Sequence, residues 1–452
     1  MRNGDISFWQ YQLGEQRHRP SLDGDQTVDV CIVGGGFTGL WTAYYLKQAR
    51  PELKIAVLEK HQIGYGASGR NGGWITAAVP GNRRLLVRDR GAPAFVAFER
   101  AMEQTVDEII NIAKTEQIEA DILKHGVIEV ARSDAQSARL RAQFPADQAS
   151  LELLEQPGLD ARLRINNAQI GCWSPHCARV HPAKLVRGLA DVVERMGVQI
   201  YEQSPVSAIR ERQAVSSRGT VRAQFVLRCL EGFTSDLEGE RRTWLPMNSA
   251  MIATAPLSAE QWSRIGWEGC ELLGDFAHAY MYAQRTADGR IAFGGRGIPY
   301  RYASGHDKDG ATQPKTIAML EALLRDFFPQ IPEVTIDHAW CGVLGVPRDW
   351  CATVNLDPVT GLGAAGGYVG VGVAATNLAG RTLRDLVLGE TTPLTYLPWV
   401  GREPRRWEPE PARWLGAHGI YKLYYAADRR ESAGLPHTSR LAKFADLVSG
   451  RH

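Results

Sequence analysis

The feature that most constrains the fold is a strand, a glycine-rich turn and a helix near the N-terminus. Residues 28–33 form a short apolar run that leads directly into Gly34-Gly35-Gly36-Phe37-Thr38-Gly39. Residues 40–48 then have helical character, and a second apolar run, residues 55–58, ends at Glu59. This order predicts a βαβ unit whose two strands are parallel. A chain that begins in this way is expected to build an α/β domain.

The spacing within this unit predicts a dinucleotide site. Gly34 permits the tight turn, Gly36 lets a pyrophosphate approach the backbone, and Gly39 lets the helix pack against the strand. The first amides of the helix are then available to phosphate oxygens. Glu59 stands 20 residues beyond Gly39, where a carboxylate accepts hydrogen bonds from ribose hydroxyls. A glycine turn with a purely structural role is the less favoured alternative.

Two further glycine-rich segments strengthen this interpretation. Residues 64–73 contain five glycines, which excludes a helix and indicates a backbone that passes close to a flat ligand. A flexible surface loop is the alternative. Residues 366–373 are also rich in glycine and open a predicted helix over residues 374–388, so a second helix N-terminus can face an anion.

Size, charge and cysteine content exclude several classes of protein. The length of 452 residues predicts two or three domains. With 52 basic and 50 acidic residues the net charge is +2, which argues against a nucleic-acid partner. The sequence has no long apolar run, so no integral membrane segment is expected. Seven scattered cysteines do not suggest disulfides, and a cytoplasmic protein is expected.

Taken together, these segments resemble the D-amino-acid oxidase superfamily of flavoproteins, which includes glycine, sarcosine and gamma-glutamylputrescine oxidases. The resemblance covers about residues 26–395. It rests on the 33–39 turn, Glu59, residues 66–73, residues 179–182 before a helix, and residues 372–380. It implies an α/β fold, α+β overall, in which a Rossmann-like FAD domain is joined to a substrate domain with a mixed, mainly antiparallel sheet. Val371 stands where many relatives carry histidine.

The resemblance also implies which residues bind FAD. Gly34, Gly36 and Gly39 would hold the pyrophosphate and Glu59 the ribose, while Val206 would contact adenine through its backbone. The remaining implied contacts are Phe37, Thr38, Lys60, Ser68, Arg70, Asn71, Gly72, Gly370, Gly372 and Val373. In sarcosine oxidases a cysteine six residues before a proline carries the flavin covalently. Cys341 precedes Pro347 by the same spacing, so covalent attachment stays open, although an inert thiol and non-covalent FAD are favoured.

The expected domain organisation is discontinuous. The FAD domain is predicted from residues 26–90, 160–235 and 340–395, and the substrate domain from residues 91–159 and 236–339. Residues 396–452 lie outside the resemblance and are predicted to form a C-terminal helical extension. The extension either packs on the parent domain or provides a docking surface for a second subunit or another protein.

The implied activity is FAD-dependent oxidation of a primary or secondary amine. The amine would be an amino acid, an aminophosphonate or a polyamine-like molecule, and the imine product would hydrolyse to a carbonyl compound. Oxygen is the expected acceptor, giving hydrogen peroxide. Two alternatives stay open: a dehydrogenase that passes electrons to a quinone or a protein partner, and a non-catalytic FAD subunit of a larger complex. Because the flavin carries the chemistry, no catalytic acid–base pair is assigned.

Candidate substrate-binding residues follow from charge and strand geometry. An anionic substrate would need an arginine, and Arg285 and Arg348 are the first candidates, with Arg296 third. Tyr280 and Tyr282 share one face of a predicted strand over residues 280–284 and can line a substrate site. The nearby Cys172, His176, Cys177 and His181 do not have the spacing of a common zinc site, so no metal is assigned.

Overall fold

The computed structural model describes residues 1–143, 151–295, 300–306 and 308–451. The strands are β1 Arg2–Asn3, β2 Gln26–Val33, β3 Ile55–Leu58, β4 Trp74–Thr76, β5 Val127–Ala131, β6 Glu152–Glu155, β7 Ile170–Ser174, β8 Cys177–Arg179, β9 Gln199–Tyr201, β10 Val206–Arg210, β11 Gln213–Ser216, β12 Gly219–Arg228, β13 Leu245–Thr254, β14 Leu272–Asp275, β15 Tyr282–Arg285, β16 Ile291–Gly295, β17 Ile336–Val346, β18 Thr353–Asp357 and β19 Leu362–Gly366. The helices are α1 Phe8–Gln12, α2 Phe37–Ala49, α3 Arg83–Arg90, α4 Ala92–Thr115, α5 Asp134–Gln143, α6 Gln156–Arg162, α7 Pro182–Arg195, α8 Ala259–Ile265, α9 Pro314–Phe327, α10 Gly372–Leu388, α11 Ala412–Ser432 and α12 Arg440–Ser449.

The first sheet contains the predicted βαβ unit. Its parallel part has the order β9-β3-β2-β12-β19, and β10, β11 and β18 extend it in antiparallel fashion. Helices α2, α7 and α10 bury their apolar residues in one core cluster with β2 and β3. A Cβ on Gly380 would lie 2.8 Å from backbone and side-chain atoms of Trp41, so glycine is what allows α10 to approach α2 closely. The α/β fold class is therefore confirmed.

The second sheet is mixed and larger. Within the described ranges, nine strands form it in the order β1-β17-β13-β16-β15-β14-β5-β7-β6. Most of its neighbouring strands are antiparallel, whereas β1 and β17, and also β5 and β14, are parallel. Helix α9 buries Leu320, Leu324 and Phe327 in the core of this sheet.

Strand pairing corrects two of the predicted domain boundaries. The boundary at residue 340 falls inside β17, which pairs with β13 along nearly its whole length. Strand β7, assigned by sequence to the FAD domain, pairs with β5 and β6 of the second sheet. Both segments belong to the second sheet because their hydrogen-bonding partners lie there, far away in sequence.

The C-terminal segment from residue 396, predicted as a helical extension, contains helices α11 and α12. Helices α11 and α12 pack against each other through Tyr424, Ala427, Ala442 and Ala445. Tyr421 joins Leu245 and Met247, at the start of β13, in a separate apolar cluster. The extension is therefore anchored on the second sheet. In the described part of the chain, no helix combines the length and the apolar character needed to cross a bilayer.

Candidate active site

The first glycine turn and the start of α2 form one end of a long cavity. Gly34, Gly36, Phe37 and Thr38 line it. Helix α2 begins without a side-chain cap on Gly36, while the Phe37 amide donates to Ser68 Oγ (2.9 Å). The start of the helix therefore faces the cavity, as a phosphate site requires. Gly39 does not line the cavity: a Cβ there would lie 2.3 Å from the Gly34 carbonyl oxygen, so its role is helix–strand packing.

Glu59 closes the same cavity beyond the turn. The Gly35 amide donates to its Oε2 (2.8 Å) and the His61 amide to its Oε1 (2.9 Å), which fixes the carboxylate in place. Burial raises the pKa of Glu59, and the two amide hydrogen bonds oppose that rise. Lys60 and Val206 line this end as well, and the Lys60 ammonium pairs with Asp236 (3.3 Å).

The glycine-rich loop over residues 64–73 is held in shape by its own polar side chains. Asn71 Nδ2 donates to the carbonyls of Ala67 (3.1 Å) and Ser68 (2.9 Å), and its Oδ1 accepts from the Gly73 amide (2.7 Å). The Arg70 guanidinium donates to the Tyr65 carbonyl (2.8 Å) and to the carbonyls of Asp5 (2.9 Å) and Cys341 (3.5 Å). Arg70 lines the adjoining cavity, but its charged end holds the loop to the N-terminal segment and β17.

The third glycine turn completes the cavity from the opposite side. Gly370, with a φ of 100°, Gly372 and Val373 line it, and α10 begins at Gly372 without a side-chain cap. Two helix N-termini, an oriented carboxylate and a glycine cradle thus converge on one elongated space. This donor set fits FAD, whose pyrophosphate needs amides and whose ribose needs a carboxylate.

Two buried residues that sequence reasoning missed support these loops. The Glu231 carboxylate accepts from the amides of Gly345 (2.8 Å) and Tyr368 (3.0 Å), and burial raises its pKa to about 7. Gln284 Nε2 donates to the Gly72 carbonyl (2.6 Å). A glutamate three residues after a strand and a glutamine within one carry no distinctive sequence signal, because their partners lie far away along the chain.

A second cavity of about 700 Å³ adjoins the first. The two share Ala67, Asn71, Leu344, Gly370 and Val373 as lining residues and are therefore continuous. Its volume lies in the range of small-molecule sites. The residues beyond the shared boundary include the aromatic side chains Trp74, Phe276, Tyr280 and Tyr282 and the ionisable side chains Glu129, Arg139, Asp275, His278, Lys443, Asp446 and Arg451.

Tyr280 and Tyr282 both line this second cavity, although only Tyr282 lies in a strand. The Tyr282 hydroxyl lies 2.9 Å from Ser249 Oγ, and its ring packs edge-to-face on Trp74. The Arg451 guanidinium stacks on the Tyr280 ring. Both tyrosines therefore line the second cavity, but the predicted strand that would place them on one face does not include Tyr280.

The arginine candidates are placed elsewhere, which corrects the expectation for both. Arg285 donates to the Trp267 carbonyl (2.6 Å), pairs with Glu268 (3.3 Å) and stacks on Trp262. Arg348 pairs with Glu408 (3.1 Å) and donates to the Ser449 carbonyl (3.0 Å). Neither lines the second cavity. Arg285 ends β15 three residues beyond Tyr282, too far along the strand to reach the cavity. Arg296 lies outside the described residues.

Cys341 lies in the middle of β17, and its side chain does not line either cavity. Its neighbour Gly342 lines the second cavity, and successive residues of a strand face opposite sides. The Cys341 thiol is 2% exposed, and burial raises its pKa to about 12. The thiol therefore faces away from the space available to a flavin.

The cluster of cysteines and histidines over residues 172–181 has a structural explanation in part. His181 is the N-cap of α7, where its Nδ1 accepts from the Lys184 amide (3.1 Å). Among the described residues, a compact group with metal-ligand chemistry consists of His278, Asp428 and Glu431. Its oxygens already accept hydrogen bonds from protein amides, His278 and Arg139.

The sequence agrees with the cavity geometry. Residues 29–386 match the profile of the DAO family, described as FAD dependent oxidoreductase. The chain belongs to the DAO family of FAD-dependent oxidoreductases. The match begins in β2 and ends in α10, so it spans all the glycine turns of the nucleotide cavity. Helices α11 and α12 of the extension lie outside the matched part of this DAO-family chain.

Relatives of this DAO-family chain include enzymes named for amine substrates. It is 29% identical over 398 residues to gamma-glutamylputrescine oxidoreductase of Escherichia coli, which covers 84% of this chain and 88% of the relative. It is 24% identical over 384 residues to sarcosine oxidase subunit beta of Rhizobium meliloti, covering 79% and 84%. The fold matches glycine oxidase from Geobacillus kaustophilus with a TM-score of 0.69 and 18% identity, covering 81% and 96%.

Proposed function

We propose that this protein oxidises the carbon–nitrogen bond of an amine, with oxygen as the electron acceptor. The amine loses two electrons and two protons and becomes an imine, and water then converts the imine to a carbonyl compound and ammonia or a smaller amine. Oxygen takes up the two electrons and two protons and becomes hydrogen peroxide. When bound, FAD supplies the two-electron acceptor for the first half of this sequence.

The observation that carries the proposal is the continuity of the two cavities. Gly72 and Asn71 belong to the loop that borders the cofactor space, and both also line the second cavity. A substrate in the second cavity is therefore held against the glycine-rich loop over residues 64–73, which we call the cofactor loop. This contact supplies the proximity that oxidation requires. The names of the amine-oxidising relatives support the amine as the substrate class.

The residues of this chain have three tasks in the proposed reaction. Glu59 and the start of α2 bind the nucleotide end of FAD. Asn71, Gln284 and Glu231 keep the surrounding loops in one conformation, which limits the reorganisation needed at each turnover. Trp74, Tyr280 and Tyr282 form an apolar wall that excludes water from the reacting carbon. We further propose that FAD is bound without a covalent link, since the Cys341 thiol faces away from the cavity.

A substrate panel tests the proposal. The holoprotein is mixed anaerobically with primary amines, secondary amines and α-amino acids, and loss of the oxidised-flavin absorbance is recorded. We expect at least one amine to bleach the flavin, and air to restore the colour with one hydrogen peroxide per amine consumed. Bleaching that is reversed by a quinone but not by air would favour a dehydrogenase. No bleaching by any compound would favour a non-catalytic subunit and contradict the proposal.

A further inference from the structure

Three residues of the second sheet, Glu129, Gly274 and Tyr282, surround a slot in the second cavity, where the proposed function places the substrate. Glu129 of β5 lies opposite Gly274 of β14, and Gly274 lies opposite Tyr282 of β15. Residues directly opposite one another on neighbouring strands project from the same face of a sheet. Since Gly274 has no side chain, it leaves a gap between Glu129 and Tyr282. A Cβ on Gly274 would lie 3.5 Å from the Trp74 ring, so Trp74 borders this gap.

The slot opens beside the cofactor loop. A Cβ on Gly294 would lie 2.3 Å from the Tyr282 ring, so the ring leans over Gly294 and away from Glu129. A Cβ on Gly72 would lie 2.8 Å from the same ring, which therefore also touches the cofactor loop. A small group bound between Glu129 and Tyr282 consequently lies next to the part of the cavity that the cofactor loop borders.

Two polar groups of the slot, the Glu129 carboxylate and the Trp74 indole N–H, lack partners in the described part of the chain, whereas the Tyr282 hydroxyl lies 2.9 Å from Ser249 Oγ. Among the described residues, none forms a hydrogen bond or an ion pair with the Glu129 carboxylate, and the buried Trp74 Nε1 likewise has no partner. Burial raises the pKa of Glu129 to about 7, and no neighbouring cation or amide within the described ranges lowers it. Glu129 is half-buried, and a carboxylate partly withdrawn from water without a partner is costly, so an external cation would lower that cost.

We propose that Glu129 binds the ammonium group of the substrate and accepts its proton. This inference rests on the proposed amine oxidation. The ammonium nitrogen donates to the carboxylate, the N–H bond breaks and a Glu129 O–H bond forms, which leaves the neutral amine that oxidation requires.

The same geometry selects the substrate class. In an α-amino acid, the carbon that carries the amine also carries a carboxylate. This carboxylate would be placed beside the Glu129 carboxylate, and the two negative charges would repel each other. The three described arginines that line the cavity are already engaged: Arg70 with backbone carbonyls, Arg139 with Glu431 (2.8 Å) and the Phe276 carbonyl (2.7 Å), and Arg451 with the His278 carbonyl (2.9 Å). The substrate is therefore an alkylamine or a terminal diamine rather than an α-amino acid.

A matched pair of compounds tests the substrate class. Pentylamine and norleucine share one carbon chain and differ only in the α-carboxylate. With the wild-type holoprotein, we expect kcat/KM for anaerobic flavin reduction to be at least tenfold higher with pentylamine. Replacing Glu129 by glutamine should lower the pentylamine value at least tenfold, since a charge-assisted hydrogen bond is lost. Glu129→Asp keeps the charge and should fall between the two. Wild-type preference for norleucine would overturn the inference.

A ligand that cannot be oxidised separates this inference from the proposed function. tert-Butylammonium has no hydrogen on the carbon next to nitrogen, so its binding can be measured by calorimetry without turnover. We expect its Kd to rise at least tenfold in Glu129→Gln and to stay unchanged in Glu211→Gln, a control in the exposed turn between β10 and β11. Equal affinity of wild type and Glu129→Gln would overturn the role of Glu129. Amine binding without flavin bleaching would instead contradict the proposed function.

Discussion

At Gly36, the space for a ligand depends on the absence of a side chain. A Cβ at this position would lie 2.8 Å from Ser68 Oγ, and longer side chains would extend into the cavity where the pyrophosphate is expected. Ser68 cannot move aside freely, because its hydroxyl accepts the Phe37 amide (2.9 Å) at the start of α2. One hydrogen atom in place of a methyl group thus keeps the helix N-terminus accessible.

We expect Gly36→Val to retain at most a tenth of the wild-type FAD, because the β-branched side chain fills the pyrophosphate position. FAD per chain is measured from the flavin absorbance of the purified protein. Gly416→Ala in α11 is the control, since a Cβ there meets no atom within 4 Å. A Gly36→Val protein with full FAD content would contradict the assignment of the turn.

The position of Cys341 predicts a flavin that is released by acid. After acid precipitation, we expect the yellow colour in the supernatant, and we expect Cys341→Ser to bind as much FAD as the wild type. Colour retained in the wild-type pellet and lost from the Cys341→Ser pellet would show a covalent link through this thiol.

The raised pKa of Glu129 predicts a pH dependence of amine oxidation. Its pKa of about 7 lies above the ordinary value, so the carboxylate becomes neutral as the pH falls through 7 and can no longer bind an ammonium. We expect kcat/KM for pentylamine to fall about tenfold per pH unit below 7. Asp275, in the same cavity, also has a pKa of about 7; Arg139, Lys443 and Arg451 contribute positive charge, and His278 and Asp446 line the cavity as well.

Two variants identify the group responsible for this pH dependence. The fall in kcat/KM below pH 7, the acidic limb of the pH profile, should disappear in Glu129→Gln and persist in Asp275→Asn. Persistence of the limb in Glu129→Gln would assign it to Asp275 or to another cavity residue.

At the scale of elements, the C-terminal extension forms part of the wall of the second cavity. Lys443 and Asp446 of α12 line it, as does Arg451. Glu431 of α11, buried at 1% exposure, holds the extension in place, because its carboxylate accepts from Arg139 Nη1 (2.8 Å) and from the Ser439 amide (2.9 Å) and lies 3.0 Å from His278 Nε2. The extension is thus tied to the wall of the cavity through one carboxylate.

We expect Glu431→Ala to weaken this attachment, since removal of one partner from a buried ion pair costs about 3–5 kcal/mol. The variant should show faster proteolysis within residues 400–451 and a KM for amine at least fivefold higher, with unchanged FAD content. Arg429→Ala, at an exposed position of the same helix, is the control. Unchanged proteolysis and KM in Glu431→Ala would contradict this role of the extension.

Elements with strong local signals were predictable from the sequence. Helices α4 and α7 are of this kind, because regular apolar spacing and, for α7, a leading proline and a following glycine define them locally. Tyr280 lies outside the strand predicted for it, since the amides of His278 and Ala279 donate to Asp428 of α11 and form a turn. That partner lies about 150 residues further along the chain, beyond the reach of local reasoning.

At the scale of the whole molecule, the nucleotide site combines segments of both sheets. Its lining begins at Val33 of β2 and ends at Thr376 of α10, and it includes Leu344 of β17. The glycine turns of this site were predictable because their spacing encodes the turn itself. Of the second cavity outside the glycine-rich segments, only Tyr280 and Tyr282 were predictable, because Glu129, Gly274 and Tyr282 become neighbours only through strand pairing.

Because the cavity that fits FAD is lined by segments throughout the chain, we expect bound FAD to stabilise the whole fold. At a free FAD concentration one hundred times its Kd, the free energy of unfolding should rise by about 2.7 kcal/mol. For a protein of this size the midpoint of thermal unfolding should rise by about 2–4 °C. Differential scanning fluorimetry of the deflavinated protein, with and without added FAD, measures the shift. Equal midpoints would contradict the spread of the site over the fold.

The pairing of β1 with β17 has a consequence for synthesis on the ribosome. Arg2 and Asn3 lie beside His338 and Ala339, so β1 finds its partner only after β17, more than 300 residues further along the chain, has been translated. Thr376, the residue furthest along the chain among those that line the nucleotide site, is translated later still. We therefore expect FAD to bind only after these segments have been made. Until then the unpaired strands of the second sheet are exposed to chaperones and to other nascent chains.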